Sequence, residues 1–180
     1  EVAKYKGSGS IEDASNVACA LPDAGLPSGP PAPALQFAFE ARVELGPVQE
    51  LGAAVHGERR IIPITGGTFE GPGIKGRVLN GGADWQIVHA DGLSELDARY
   101  TLQTDAGALI YVWNQGMRVA SPDTVAKMRA GQTVDPSAYY FRASPRFETS
   151  APELQWLSRS VFICSAERSP NAVILRFWRV

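Results

Sequence analysis

Alternating hydrophobic and polar residues, grouped into short runs between turn residues, constrain the fold of this chain more than any other feature. Residues 35–45 show the alternation clearly, as a half-buried strand does. Their hydrophobic members fall on one face of an extended strand: Phe37, Phe39, Ala41, Val43 and Leu45. Similar runs recur about every ten to fifteen residues as far as the C-terminus. This spacing predicts an all-β barrel or sandwich rather than alternating βαβ units.

Residues 121–137 carry the one convincing helical pattern in the chain. Ser121 or Asp123 can cap its first turn, and Gly131 can end it. The turn pairs on either side of the neighbouring runs, such as Asp91-Gly92, are instead typical of hairpins. We therefore predict an antiparallel β domain with one short helix.

A glycine-rich stretch, residues 65–85, lies between two runs that have the character of strands. It contains seven glycines. Ordering glycine costs conformational entropy, so such a stretch inside a folded domain indicates sharp bends or close approaches of the backbone. Bends and bulges at the mouth of a curved sheet can aim side chains inward. We predict that this stretch forms the region of the functional site.

Residues 1–33 differ from the rest because they are rich in Gly, Ser, Ala and Pro and lack sustained periodicity. This composition predicts an extended N-terminal arm or linker, followed by a β-barrel domain over residues 34–180. Cys19 in the arm and Cys164 in a late strand either form a disulfide or are two separate thiols. The scarcity of cysteines favours a cytoplasmic location, whereas the trimmed-looking start favours a secreted one, and we expect the former.

Charge and composition exclude several classes of function. The net charge is -2 and no run of Lys or Arg is present, so we expect no nucleic-acid partner. No apolar run of about 18 residues is present, so we expect no membrane span. Two cysteines and two histidines without close spacing predict no metal site. Motifs for a serine nucleophile or for phosphate binding are also missing from the sequence.

Two long motifs resemble one known family, the domain of unknown function 3237. They are GGTFEGPGIKGRVLNGGADW, residues 66–85, and FRASPRFETSAPELQWL, residues 141–157, and the resemblance extends from Ala34 to the C-terminus. It implies a compact antiparallel β-barrel with a central cavity. It implies neither a reaction nor a cofactor, and we expect no cofactor.

Two carboxylates of the glycine-rich stretch are candidates for acid/base chemistry. Asp84 follows Gly81-Gly82-Ala83 and is either a partly desolvated group at a cavity rim, with a raised pKa, or a turn carboxylate that accepts backbone N–H bonds. Glu70 is either a loop carboxylate in solvent or a second acid/base group facing Asp84.

A tyrosine and an arginine could stabilise a developing oxyanion. Tyr100 shares a strand face with Leu102, and its hydroxyl either donates into a cavity or belongs to a buried ring of the core. Arg59-Arg60 begins a strand, so one of the two points inward. That arginine, taken as Arg60, either binds a substrate oxygen or pairs with Glu148.

The run from 139 to 149 has two distinct faces if its register is unbroken at Pro145. One face is polar and the other is mainly aromatic. The polar face carries Tyr140, Arg142, Ser144, Arg146 and Glu148. Either it lies in water, with the aromatic face in the core, or it points into the cavity and contributes to the site.

Together these features predict a single antiparallel barrel whose cavity binds a small, partly apolar organic molecule. We expect acid/base chemistry without a cofactor, such as isomerisation, dehydration, cyclisation or hydrolysis, with Trp85 and Trp156 as cavity walls. The assigned catalytic group is Asp84, Glu70, Tyr100, Arg60 and Arg146. The assigned substrate-binding group is Trp85, Arg142, Glu148, Trp156 and Tyr140. The alternative is a lipocalin-like binding protein without turnover, and a homodimer is plausible for a chain so rich in strands.

Overall fold

Ten strands dominate the part of the chain that this computed structural model describes, residues 29–180. In chain order they are β1 (Gln36–Leu45), β2 (Gln49–Ala54), β3 (Gly57–Gly71), β4 (Ile74–Val78), β5 (Gly82–Val88), β6 (Leu93–Thr104), β7 (Leu109–Ala120), β8 (Tyr139–Glu148), β9 (Phe162–Ser169) and β10 (Ala172–Arg179). The predictions for Cys19 and for most of the N-terminal arm lie outside the described residues.

Antiparallel pairing closes the strands into a barrel of eight, with two extra strands. The order runs β1-β10-β9-β8-β7-β6, then through β5 and β4 to β3, and β3 pairs with β1 to complete the ring. Closure gives every barrel strand a neighbour on each side, although β8 and β9 pair only at Arg142–Ser165 and Ala143–Cys164. The predicted all-β barrel is therefore confirmed.

The alternation of inward and outward residues follows the prediction along β1, with one exception. The pairing of β1 with β10 changes register between Phe37 and Phe39. As a result Ala38 is buried, while Phe37 lies outside and packs edge-on against Trp178 at 5.4 Å between ring centroids. The expectation that Phe37 shares the inward face is wrong, because a bulge shifts the alternation by one residue.

Strand β3 bends at Gly67 within the glycine-rich stretch. Before the bend β3 pairs with β5, and after it β3 pairs with β4. Gly67 has a φ of 129°, and a Cβ atom there would collide with the carbonyl oxygen of Arg42 on β1. Only glycine allows both this conformation and this close approach. The predicted bend is therefore real, and it turns β3 from one end of the barrel toward the other.

Two α-helices lie outside the strands, α1 (Pro122–Arg129) and α2 (Gln155–Ser158). The first is the predicted helix: the Ser121 side chain accepts a hydrogen bond from the Thr124 N–H and caps it. The second is short and was not predicted, because it has only four residues. Neither is long and apolar enough to cross a membrane, and no other helix in residues 29–180 is.

Aromatic side chains fill one end of the barrel interior. We call this the apolar end, and it consists of Phe39, Phe69, Phe147, Phe162 and Phe177. The rings of Phe39 and Phe177 stack at 4.4 Å, and those of Phe147 and Phe162 meet edge-on at 5.0 Å. Burying each ring contributes roughly 1.5–3 kcal/mol as an upper estimate. The five rings therefore belong to one continuous hydrophobic core, to which they make a large contribution.

Candidate active site in the barrel interior

A cavity of about 50 Å³ lies in the interior, beyond the apolar end. Most of its lining is hydrophobic, and three polar side chains interrupt that lining. The complete lining is Val43, Leu45, Ile64, Asp84, Leu96, Ala98, Tyr100, Asn114, Phe141, Ala143, Val173 and Leu175. This composition, an apolar lining with a few converging polar groups, is usual for a small-molecule site, whereas pockets for drug-sized ligands are larger, at about 300–1,000 Å³.

Asp84 enters this cavity from β5, opposite Ala98 on β6. Its Oδ2 accepts a hydrogen bond of 2.6 Å from Gln86 Nε2, and its Oδ1 accepts one of 3.1 Å from the backbone N–H of Asp97. Gly82, two residues earlier on β5, lets this strand pass close to Tyr100 on β6, since a Cβ atom at position 82 would lie 2.6 Å from the Cβ of Tyr100. Two donors thus fix the carboxylate in one orientation beside the cavity.

Burial raises the pKa of Asp84 above its ordinary value of 3.8. The bonds from Gln86 and Asp97 and the charge of Arg118 act in the opposite direction, but desolvation outweighs them. Both interpretations of Asp84 from the sequence therefore hold in part: it accepts a backbone N–H bond, yet its pKa is raised. A carboxyl group that keeps its proton closer to neutral pH is suited to general acid/base work.

Tyr100 and Asn114 face the same cavity from β6 and β7. Tyr100 is 3% exposed and Asn114 is 5% exposed. Within residues 29–180 neither the Tyr100 hydroxyl nor the Asn114 Oδ1 has a hydrogen-bond partner. Burial, with the nearby Cys164 and Asp84, raises the pKa of Tyr100 well above its ordinary value, so its hydroxyl remains a donor. Unpaired buried polar groups are costly, and a water molecule, an ion or a ligand that supplies the missing hydrogen bonds would offset that cost.

Cys164 lies behind Asn114 and is fully buried. Burial raises the pKa of its thiol to about 12, and the Asn114 side chain opposes that shift only in part. The thiol is therefore protonated and a poor nucleophile at neutral pH. We assign it to the barrel core rather than to chemistry.

Polar residues occupy the end of the interior that lies opposite the Phe rings. We call this the polar end, and it consists of Arg60, Gln86, Ser94, Arg118 and Arg168. The Nη2 of Arg118 donates to the Ser94 Oγ at 3.2 Å. Arg60 Nε bonds Glu50 at 3.0 Å. Burial, together with the positive charges of Arg168 and Arg60, lowers the pKa of Arg118 to about 10. Three cations, of which Arg60 and Arg118 are buried and Arg168 is half-buried, thus lie together next to the cavity.

The polar face of β8 lies outside the barrel. Along β8 buried and exposed residues alternate strictly from Tyr139 to Glu148, and Pro145 does not break the register. The exposed set is the predicted polar set: Tyr140, Arg142, Ser144, Arg146 and Glu148. Their proposed place in the cavity is wrong, because the aromatic residues of the opposite face fill the core instead.

Three further predicted residues also lie away from the cavity. Glu70 is exposed on the outside of the barrel beside Lys75 and Arg42. Trp85 is 38% exposed in an outer groove with Met117, because it follows the inward Asp84 on the same strand. Trp156 packs on Phe162 from α2, with ring centroids 5.9 Å apart. None of them lines the cavity.

Of the predicted catalytic group, the structure therefore brings Asp84 and Tyr100 together and places Arg60 one layer away. Arg60 does point inward, but its carboxylate partner is Glu50 and not Glu148. The sequence reasoning missed Gln86, Asn114 and Arg118. The sequence did contain a signal for two of them, since Asn114 and Arg118 occupy alternate positions of β7 on the same inward face as Ile110 and Val112.

Comparison with known proteins identifies the relatives of this barrel. The family described as "Protein of unknown function (DUF3237)" matches residues 33–180. A UPF0311 protein of Rhodopseudomonas palustris is 44% identical over 140 residues, which cover 78% of this chain and 92% of that protein. A UPF0311 protein of Clostridium acetobutylicum is 44% identical over 124 residues, which cover 69% of this chain and 78% of that protein.

Solved structures and one enzyme extend the comparison. A β-barrel-like protein of Acinetobacter baumannii superposes with a TM-score of 0.74 at 48% identity, over 84% of this chain and 98% of that one. An enzyme from Penicillium herquei superposes with a TM-score of 0.63 at 25% identity, over 86% of this chain and 98% of that one. The hydroalkoxylation enzyme phnH of Penicillium herquei is 36% identical over 87 residues, which cover 48% of this chain and 58% of that protein.

Proposed function

This chain belongs to the DUF3237 family, and from the geometry of its interior we propose that it is an enzyme of cofactor-free acid/base chemistry on a small organic molecule. The observation that carries the proposal is one juxtaposition. Asp84 shares a mainly hydrophobic cavity with the Tyr100 hydroxyl and the Asn114 Oδ1, neither of which has a hydrogen-bond partner within residues 29–180. A proton-transfer group next to free hydrogen-bonding groups is the arrangement that such catalysis requires.

The specific reaction that we propose is addition of a substrate hydroxyl across a carbon–carbon double bond. The protonated Asp84 carboxyl gives its proton to one alkene carbon, and the hydroxyl oxygen forms a bond to the other carbon. The proton of the hydroxyl then passes to the Asp84 carboxylate, so the enzyme is restored and no other reactant is consumed. The raised pKa of Asp84 favours the proton-bearing form at the start.

Tyr100 and Asn114 would orient the reacting oxygen during this step. The Tyr100 hydroxyl can donate to one lone pair of the substrate hydroxyl, and the Asn114 Oδ1 can accept the hydrogen of that hydroxyl, which together aim its other lone pair at the alkene. Asp84 itself is already held by Gln86 and by Asp97 N–H, so its orientation needs no change on binding. Preorganised groups of this kind lower the barrier more than groups that must move.

Similarity to a named enzyme supports the choice of reaction. The Penicillium herquei relative is called a hydroalkoxylation enzyme, and hydroalkoxylation is addition of an alcohol across a double bond. The shared stretch covers about half of this chain, so the relative supports the class of reaction and leaves the substrate open. The hydrophobic lining favours a substrate with an apolar body.

The lining is also compatible with a second candidate function, a binding protein without turnover, because most lining residues have hydrocarbon side chains. Both candidates bind a small molecule in the same place. They differ in whether the Asp84 proton reaches a carbon atom. Turnover therefore decides between them.

The test is a panel of small phenols and alcohols that carry an alkene within reach of the hydroxyl, incubated with the protein in D₂O. We expect a cyclic ether with one deuterium on carbon, detected by mass spectrometry. Asp84→Asn should lower the rate by about 10²–10⁴-fold, since it removes general acid/base catalysis.

Glu70→Gln is the matched control, because Glu70 is a carboxylate on the outer face. It should leave the rate unchanged. Full activity in Asp84→Asn would overturn the proposed role of Asp84. Tight binding of panel members with no product would favour the binding protein.

A further inference from the structure

The polar end contains more positive charge than its own acidic groups neutralise. Arg60 is paired with Glu50. Over residues 29–180 no carboxylate oxygen lies within 4.0 Å of the guanidinium of Arg118 or of Arg168. Two buried or half-buried guanidinium groups without an anion carry a desolvation cost that a bound anion would offset.

Arg118 is the most enclosed of these groups. It is 4% exposed, and the only hydrogen bond of its side chain within the described chain is from Nη2 to Ser94 Oγ. Its Nε has no acceptor among residues 29–180. A guanidinium presents its Nε–H and a terminal N–H as a fork that matches the two oxygens of a carboxylate. The Nε–H of Arg118, which is one half of that fork, is therefore buried without an acceptor among residues 29–180.

Arg168 lies near Arg118 although it comes from a different strand. Its backbone N–H donates to the Tyr139 hydroxyl at 2.9 Å, which ties the end of β9 to β8. Burial and the charge of Arg60 lower the pKa of Arg168. The charges of Arg168 and Arg60 also help to lower the pKa of Arg118. The three cations repel one another, so their side chains are held together by the barrel and not by mutual attraction.

The polar end adjoins the cavity directly. Arg118 pairs with Phe141 across β7 and β8, and Arg168 pairs with Val173 across β9 and β10. Both partners line the cavity. Asp84 lies close enough to both arginines to affect their pKa values, yet its own hydrogen bonds come from Gln86 and Asp97. Asp84 therefore does not occupy the unused fork.

We propose that the polar end is a carboxylate-binding subsite, in which Arg118 and Arg168 hold the acid group of the substrate while its apolar body fills the cavity. This inference rests on the proposed function, since it assigns the substrate class of the same site. The substrates are then small organic acids with an apolar body. The carboxylate would sit one layer of residues from Asp84, which fixes the distance between the acid group and the reacting carbon.

Matched acids and amides test the subsite without any need for turnover. Butanoate, 4-methylpentanoate and 3-phenylpropanoate, each with its amide, would be titrated into the full chain by calorimetry at neutral pH. We expect at least one acid to bind about ten- to hundredfold more tightly than its amide. Arg118→Gln and Arg168→Gln should remove that preference by weakening only the acid.

Arg77→Gln serves as the control, because Arg77 lies on the outer face and bonds Gln103. It should keep the full preference for the acid. Arg118→Lys retains the charge without the fork and should recover only part of the affinity, which keeps the test usable if Arg118→Gln fails to fold. Equal binding of acids and amides by the unaltered chain, or no acid binding at about 10 mM, overturns the subsite.

Asp84→Asn separates this inference from the proposed function. That variant should bind the acids at least as well as the unaltered chain, although it loses turnover. Turnover of neutral hydroxyalkenes that depends on Asp84, without any binding of acids, would contradict the subsite alone. Acid binding without any turnover would contradict the enzyme and leave the subsite in place.

Discussion

The apolar end and the polar end of the barrel interior are built from the same strands but satisfy their side chains in opposite ways. Strand β3 contributes Arg60 to one end and Phe69 to the other, and β9 contributes Arg168 and Phe162. The Phe rings contact one another at 4.4–5.8 Å between centroids. At the polar end, by contrast, hydrogen-bonding atoms of Gln86 and Arg118 have no partner in the described chain.

This contrast indicates a division of labour between stability and function. Packed aromatic rings stabilise the fold through burial and dispersion. Desolvated polar groups without partners destabilise it, and proteins tolerate them mainly where a ligand supplies the missing contacts. We therefore expect substitutions at the apolar end to lower stability and substitutions around the cavity to lower function with little loss of stability.

The largest effect on stability should come from Phe39→Ala at the apolar end. Phe39 is fully buried among other rings, so its removal should lower the free energy of unfolding by about 3–5 kcal/mol, as measured by urea denaturation. Phe37→Ala on the same strand is the control. It removes a ring that lies outside the barrel and should cost roughly 1 kcal/mol or less. Equal losses would break the distinction between the two faces.

A smaller loss should follow from Gly67→Ala, at the bend between the two ends. The added Cβ collides with the Arg42 carbonyl, and we expect a loss of about 1–3 kcal/mol by the same measurement. Gly73→Ala is the control, since Gly73 also has a positive φ of 73°, but a Cβ added there would meet no atom within 4 Å. A greater loss at Gly73 would show that conformation, and not the collision, sets the cost.

Asp84→Asn should raise stability at neutral pH. The folded state raises the pKa of Asp84 above 3.8, so it binds the proton more tightly than the unfolded chain does. That contribution is complete below the unfolded pKa and is lost as pH rises through the folded pKa. The variant should therefore exceed the unaltered chain in stability at pH 7, and the excess should shrink as the pH falls toward 4. A variant less stable at pH 7 would contradict this.

Tyr100→Phe should have the smallest effect on stability. The hydroxyl has no partner within residues 29–180, so its removal should change the free energy of unfolding by less than about 1 kcal/mol, or increase it. Turnover in the alkene assay should nevertheless fall, because an oxygen-orienting donor is lost. A loss of stability above about 2 kcal/mol would instead show that the hydroxyl has a structural partner.

Local sequence predicted the strands well, and for a clear reason. Alternation over residues 139–149 correctly defined two faces of β8, and the caps at Ser121 and Gly131 correctly placed α1. Both signals come from neighbouring residues in the chain. Such local signals do not predict which face of a strand is enclosed by the barrel. For that reason Arg142 and Arg146 were assigned to the cavity although they lie on the outer face.

The candidate site was predicted only in part. Asp84 and Tyr100 were found because a carboxylate after a flexible glycine stretch and a tyrosine in an apolar face are local signals. Asn114 and Arg118 were missed, since each is one polar residue in an otherwise hydrophobic register. Glu70 was included because it is near Asp84 in sequence, although the bend at Gly67 directs that part of β3 toward other neighbours.

The sequence by itself determined that this chain forms an antiparallel β domain, because strand periodicity and turn residues act over a few positions, and the family resemblance added that the strands close into a barrel. It also determined the residues that share each face, except where the bulge in β1 moves Phe37 to the outside. Only the tertiary structure decided which face became the interior and which end of that interior became polar, because those choices depend on closure of eight strands around one core. The candidate site at Asp84 lies where that closure encloses polar side chains that lack some of their hydrogen-bond partners within residues 29–180.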